Sequence, residues 1–400
     1  MKLIKNGFVL QNGKFLKKDV LISNGKIEKI ADKIDDSNLE SINIEGKYLL
    51  PAIIDLNVRL LNNTLNKKNI EKLVDSSKKG AVSTVVITSD FTPRLDSSTL
   101  LDFIKSSIED LEVDLKITAP LVDISGKKLN NIATLINNGA SAIWTNSNIE
   151  ANLLKRGMQY AYMKDKPLFV FCYEPGLDDE GLINEGFVSS KLGLSGISKS
   201  SESVEVAKIC ELCSELKNRV VFQSLSTKRS LELIERTKAL NSNIYSEVSI
   251  HHLIKNENSC DEFNTYAKIL PPLRDEEERV KLLEELKNGS IDILTSLHSP
   301  KSVLYKDVAF KEAAFGIGSI EEYFKLAYTF LVDKGHITLE KLTELISTNP
   351  AKILGLDSKG KVQEGFDADL FIFNPEKEIV FENPTSIYDK TLLKGEIEFI

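Results

Sequence analysis

The stretch "LPAIIDLNVRLL", residues 50–61, is a β-branched apolar run that ends in polar side chains, Asn57 and Arg59. It is followed by "NIEKLVDSSKKG", whose apolar residues recur at helical spacing and whose end carries Gly80, and then by a second β-branched run, "VSTVVITS". Strand, helix, strand at this spacing predicts a parallel βαβ unit. Working outward, the same alternation continues through "DLKITAPLV", "SAIWTN", "PLFVFC", "RVVFQSL", "NIYSEVSI" and "IDILTSL", with helical segments such as "KKLNNIATLINNG", "KRSLELIERTKAL" and "DEEERVKLLEELKNG" between them. Eight strand-and-helix units predict an α/β fold of the (β/α)8 TIM barrel type, placed here at residues 48–358.

The flanks read differently. Residues 1–47 form short strands broken by Asn12-Gly13 and Asn24-Gly25, a strong hairpin signal. After "LEKLTELISTNPAKILGL" strands return without helices, in "GKVQEGFDADLFIFNPEKEIVF" and "LLKGEIEFI". The expectation is one small composite β-domain, a β-sandwich built from residues 1–47 and 359–400 beside the barrel.

Composition bounds the function. The chain has 400 residues, 42% of them apolar, enough for a sizeable core. A net charge of -8 with no basic block argues against a nucleic-acid surface. No apolar run is long enough to cross a bilayer, and the first residues do not resemble a signal peptide, so no membrane association and a cytoplasmic location are expected. Of the four cysteines, Cys210 and Cys213 stand as C-x-x-C inside a helical pattern with no second Cys or His pair nearby; they are expected to face the core.

Chemistry in such a barrel sits at the carboxyl ends of the strands. The residues there are Asn57 and Arg59, Ser89 and Asp90, Asn146 and Ser147, Phe171, Cys172 and Tyr173, Gln223, His251 and His252, and Ser296 with His298. A catalytic zinc site needs about three converging His, Asp, Glu or Cys ligands. The chain has four histidines, and on a strand adjacent residues face opposite sides, so one at most of His251 and His252 is expected to point inward. Asp55 reads as a strand-end hydrogen-bond acceptor.

Several long motifs occur in the order found in dihydroorotases of the amidohydrolase superfamily, which the chain resembles nearly end to end. "LPAIIDLNVRL" is similar to the family's PGFIDxHxHxR, "SLSTKRSLELI" to HVSTxxSxxLI, "EVSIHHL" to EVTPHHL, "LPPLRDEEER" to NPPLRxxxDR and "EAAFGIGSIE" to EAPFGIxGxE. The resemblance implies the barrel and a role in pyrimidine biosynthesis. It also implies where zinc ligands stand in the family, and those places hold Asn57, Arg59, Asn146 (or Ser147), Phe171, Gln223 and Ser296. None is a good zinc ligand, and Ser296 is far too weak a base to replace the family's strand-eight Asp. The substrate-binding places hold Leu61, Ser89 and Leu270.

Arg59 stays protonated at any ordinary pH, and like charges about 4 Å apart at an effective dielectric near 20 repel by about 4 kcal/mol. No cofactor is therefore expected, zinc included, and no catalytic residue. What remains is a vestigial pocket of Arg59, Ser89, His251 and Ser296. Some members of the family resembled are noncatalytic partners of aspartate transcarbamoylase, so the expectation is a pseudoenzyme that binds the aspartate transcarbamoylase catalytic chain and is oligomeric. Two alternatives stay open: a hydrolase with an atypical site using His251 or His252, Asp90 and Tyr173, and a small-anion sensor centred on Arg59, whose guanidinium needs a carboxylate or a bound anion.

Overall fold

The computed structural model describes residues 1–35, 39–108, 111–178 and 180–400. Eight parallel strands, Ile53–Val58, Val82–Ile87, Asp114–Pro120, Ala142–Asn146, Leu168–Phe171, Val220–Gln223, Ile244–Ser249 and Ile293–Thr295, pair each with the next in chain order. The ring is drawn together by a bridge between Val58 and His298, where the Arg59 amide donates to the His298 carbonyl at 2.7 Å. Each of the eight sequence runs supplies one strand of this nearly closed barrel.

Helices cover the outside because their apolar stripe has nowhere else to go. In Lys67–Lys79 the residues Ile70, Leu73 and Val74 are buried, and the Asn66 side chain caps the start by accepting from the Asn69 amide. The chain turns back at Gly80, where a Cβ would collide with the Ile320 carbonyl. Helix Glu276–Asn288 is capped by Asp275, carries Glu276, Glu277 and Glu278 in its first turn, and stops at Gly289, whose φ is +86°. Cys210 and Cys213 lie buried in helix Lys199–Glu215.

The first run does not stay whole. Tyr48–Pro51 pairs with Phe8 and Val9 on one side and with Leu370–Phe373 on the other, so these residues belong to the small sheet, and the barrel strand begins at Ile53. The domain boundary expected between residues 47 and 48 thus falls after Pro51: the backbone turns there, and no apolar periodicity could mark it. The small sheet runs in the order Thr391–Phe399, Leu370–Phe381, Tyr48–Pro51, Lys2–Gln11, Lys14–Ser23, Lys26–Ala31, with Ser41–Asn43 also on Lys2–Gln11. Its hairpins turn on Asn12-Gly13 and Asn24-Gly25, all four at positive φ, the conformation that matches strand twist. Phe324 packs edge-on against Phe371 and Phe373 at 5.0 and 4.9 Å and ties this sheet to the barrel.

Candidate functional site

The strand ends bring Asn57, Gln223, Glu247, Thr295 and Ser296 into the barrel bore, all of them buried. The Asn57 amide donates to Glu247 Oε1 at 2.6 Å and to Ser224 Oγ at 2.7 Å. Its carbonyl accepts from the Arg59 guanidinium at 3.0 Å. Glu247 Oε1 also accepts from the Ser224 amide at 3.2 Å and the Thr295 hydroxyl at 3.0 Å. Gln223 donates to the Leu56 carbonyl at 3.1 Å and accepts from the Trp144 indole at 2.9 Å. Most of the polar atoms at the strand ends therefore satisfy one another, which is what a buried polar cluster must do to limit an unpaired-group penalty of about 1–3 kcal/mol each.

Asp55 lies just below, accepting from the Asn57 amide at 3.1 Å and the Ser296 amide at 3.2 Å. It is thus a hydrogen-bond acceptor that holds the first and last strands together. Burial raises its pKa to about 6, and burial together with the charge of Asp55 raises that of Glu247 to about 7. Glu247 Oε2 finds no partner among the described residues. Sequence reading missed Glu247, although a lone carboxylate in the middle of the strand run "NIYSEVSI" is a signal in itself.

Arg59 turns upward from this network. Its Nε donates to Asp90 Oδ2 at 2.7 Å, and Asp90 Oδ1 accepts from the Thr88 hydroxyl at 2.8 Å. The guanidinium has the carboxylate partner that its partial burial demands. Above it opens a cleft of about 460 Å³, lined by Arg59, Asp90, Trp144, Asn146, Phe171 and Tyr173 from the strand ends and by Leu270, Lys301 and Phe315 from the loops. Phe171 and Tyr173 pack with ring centroids 6.2 Å apart and form one aromatic wall.

The pocket expected from Arg59, Ser89, His251 and Ser296 is not what lines this cleft; of these residues it contains Arg59. Ser89 is turned to Thr118, whose hydroxyl donates to it at 3.1 Å. The Ser296 hydroxyl accepts from the His298 amide at 3.1 Å. His251 and His252 do not sit on the strand at all, because the strand ends at Ser249 and a short helix, Ile250–Ile254, begins. Both histidines are buried, so the one-in, one-out alternation of a strand does not apply. His251 Nε2 donates to the Ser296 carbonyl at 2.9 Å, leaving Nδ1 to accept from the Tyr388 hydroxyl at 2.7 Å. His252 bridges Ser249 and the Pro271 carbonyl in the same way. His298 Nδ1 accepts from the amides of Ser319 and Ile320. Burial pushes His251 and His298 down to about 3 and His252 to about 4, so all three are neutral struts. His336 lies in a turn far along the chain.

This donor set does not fit zinc. Among the described residues no group of three or more His, Cys, Asp or Glu side chains converges to hold a metal. The bore offers the carboxyls of Asp55 and Glu247, whose hydrogen-bonded oxygens are committed to strand amides, hydroxyls and Asn57, and the guanidinium of Arg59 reaches into the same network. Asn146 stands exposed at its strand end, and Ser147 is buried with its hydroxyl accepting from the Tyr173 amide at 3.2 Å.

Residues 46–229 match the dihydro-orotase-like family, and residues 205–397 match the amidohydrolase family. A dihydroorotase of Carboxydothermus hydrogenoformans is 33% identical over 380 residues, covering 94% of this chain and 88% of that protein. One of Ruminiclostridium cellulolyticum is 34% identical over 383 residues, covering 94% and 89%. Among solved structures, the L-hydantoinase (dihydropyrimidinase) of Arthrobacter aurescens superposes with a TM-score of 0.89 over 100% of this chain and 94% of that one, at 20% identity, a likeness of fold. No helix among the described residues is long and apolar enough to cross a membrane.

Proposed function

Since the chain belongs to the dihydroorotase family of the amidohydrolases, we propose that it is a member without catalytic activity that serves as a structural partner of the aspartate transcarbamoylase catalytic chain in pyrimidine biosynthesis. The observation that carries this reading is the bonding in the bore: Asn57, Arg59 and Gln223, standing where the resemblance places the family's ligands, are hydrogen-bonded into a network of the protein's own groups. Such a network gathers no cluster of metal ligands among the described residues, and its carboxyls, Asp55 and Glu247, do not line the cleft where a substrate would enter. Selective loss of the chemical residues, with the motifs that build the fold retained, is what a scaffold under selection leaves behind. The partner and the scaffold then stabilise each other by mass action, in a symmetric oligomer.

The alternative hydrolase built on His251 or His252 with Asp90 and Tyr173 has no support in the geometry. Asp90 and Tyr173 face the cleft, while both histidines lie buried away from it with their ring nitrogens committed. Co-expression with the aspartate transcarbamoylase catalytic chain of the same organism, followed by light scattering, tests the proposal. A stoichiometric complex larger than either component, with transcarbamoylase activity that falls when this chain is omitted, is expected. Separate peaks, or turnover of dihydroorotate by this chain, would overturn it.

A further inference from the structure

Away from the strand-end cleft, and sharing no lining residue with it, a groove of about 560 Å³ opens between helix Glu276–Asn288 and the turn that follows Tyr328–Val332. Its floor is apolar: Leu253, Ile254, Val280, Leu283 and Phe330. Val280 is 41% exposed, whereas Leu282, Leu283 and Leu286 of the same helix are buried, so this helix keeps its core stripe and leaves one more apolar side chain in the groove. Phe330 faces it from Tyr328–Val332, which is wound as a π-helix, a rare winding that recurs at functional sites.

The charge around this floor is not balanced. Arg279 is matched: Nε and one terminal nitrogen donate to the Glu276 carboxylate, and the other terminal nitrogen donates to the Leu253 carbonyl at 3.0 Å. Lys287 and Lys334 line the groove without a carboxylate partner among the described residues, and Asp333, next to Lys334, is taken up by Lys394 at 2.8 Å. Glu284 is the lining carboxylate left to oppose them. The Lys334 ammonium lies 5.6 Å from the Phe330 ring centroid, so an aromatic face and a cation are presented side by side. His336 registers the excess: burial first, then the charges of Lys287, Arg279 and Lys334, hold its pKa below the ordinary 6.5. Three cations from two elements thus converge on one end of an apolar trough, in a chain whose net charge is -8.

We propose that this groove is a docking surface for an acidic segment of a partner protein, which seats an apolar side chain on Val280 and Phe330 and a carboxylate beside Lys287 and Lys334. The inference rests on the reading of this chain as a partner of the aspartate transcarbamoylase catalytic chain, and it names the face by which that chain is held. A second copy of this protein is the wrong occupant, because groove against groove would set Lys287 and Lys334 of both copies face to face, and like charges repel across an interface. A hydrocarbon chain is also the wrong occupant, since the edge carries Asn256, Glu276 and Glu284, which suit a polypeptide with amides to donate. The groove is the anchor of a wider contact: a stable complex buries about 800 Å² on each partner, and a few central residues carry most of its energy.

Lys287 and Lys334 are both exposed, so their charge can be reversed without disturbing the core. The intact chain is titrated with the purified transcarbamoylase catalytic chain of the same organism, and the mass of the complex is followed by light scattering. Lys287→Glu with Lys334→Glu is expected to weaken the complex at least about tenfold, and Lys287→Arg with Lys334→Arg to stay within about threefold of the wild type. Phe330→Ser is expected to weaken it about tenfold by itself, as an anchor residue does. Lys127→Glu with Lys128→Glu, at exposed positions outside the groove, makes the same change in net charge and is expected to leave affinity as it was. Thermal melts establish that each variant folds. An undiminished complex in the Lys287→Glu, Lys334→Glu protein, or equal weakening by the Lys127→Glu, Lys128→Glu pair, overturns the groove and leaves the partnership standing. Absence of a complex with the wild type overturns the partnership, and the groove with it.

Discussion

The side-chain amide of Asn57 stands 2.6 Å from Glu247 Oε1, joining the first barrel strand to the seventh across the bore. Here a neutral amide holds a buried carboxyl. Replacing Asn57 by the similarly shaped Leu removes the donor to Glu247 and Ser224 and the acceptor for Arg59 together. We expect Asn57→Leu to lower the unfolding free energy by about 2 kcal/mol or more, the cost of orphaning buried polar groups. Urea denaturation measures this, and an unchanged midpoint would show that the network contributes no net stability.

Glu247 imposes a pH dependence of definite sign. Its carboxyl titrates at about 7 in the folded protein against an ordinary 4.5, so the fold retains a proton that the unfolded chain releases. That contribution is complete below about pH 4.5 and is lost as pH rises through about 7. The buried neutral histidines act oppositely, favouring the fold as pH rises from about 3 to 6.5, so the comparison must be between variants. Glu247→Gln should gain on the wild type between pH 4.5 and 7.5, by on the order of a few kcal/mol. Parallel stability curves for the two proteins would contradict the assignment.

Metal removal should be silent. A bound ion at a hundred times its dissociation constant would stabilise the fold by about 2.7 kcal/mol. We expect dialysis against a strong chelator to leave Tm where it was and elemental analysis of the undialysed protein to find zinc well below one per chain. A stoichiometric metal whose loss lowers Tm by several degrees would require another ligand set.

His251 is a strut, and Tyr388 is its other end. Tyr388→Phe keeps the packing but leaves His251 Nδ1 without its donor inside the protein. The expected cost is about 1–2 kcal/mol in unfolding free energy. A variant as stable as the wild type would mean that the ring finds another donor, such as a trapped water.

Most of the architecture was legible because barrel strands are buried on both faces and so read as β-branched runs, from "VSTVVITS" to "IDILTSL". What was not legible lay at changes of direction. Tyr48–Pro51 and Ile53–Val58 form one apolar run, and only the pairing of Leu50 with Phe371 reveals that its first part belongs elsewhere. Likewise "NIYSEVSIHHL" reads as one strand, whereas the helix at Ile250 carries both histidines inward. At the site, Asn57, Gln223 and Ser296 could be named from sequence, but Glu247 was missed and the bonding of these residues could not be read, since Asn57 and Glu247 are far apart in the chain and meet through barrel closure.

The sheet that joins the two termini also fixes an order of assembly. Tyr48–Pro51 has Phe8 and Val9 as one neighbour early in synthesis, but its other neighbour, Leu370–Phe373, leaves the ribosome only after the entire barrel has been made. At about 5–20 residues per second that interval is on the order of tens of seconds. Throughout it the nascent chain exposes an open strand edge, with Leu49 and Leu50 beside it, and such edges pair with any strand that presents itself. Completion of the carboxyl-terminal hairpin is thus the event that covers this strand and moves the edge of the sheet out to Thr391–Phe399, and a chain ending before Leu370 would leave Tyr48–Pro51 unpaired on that side.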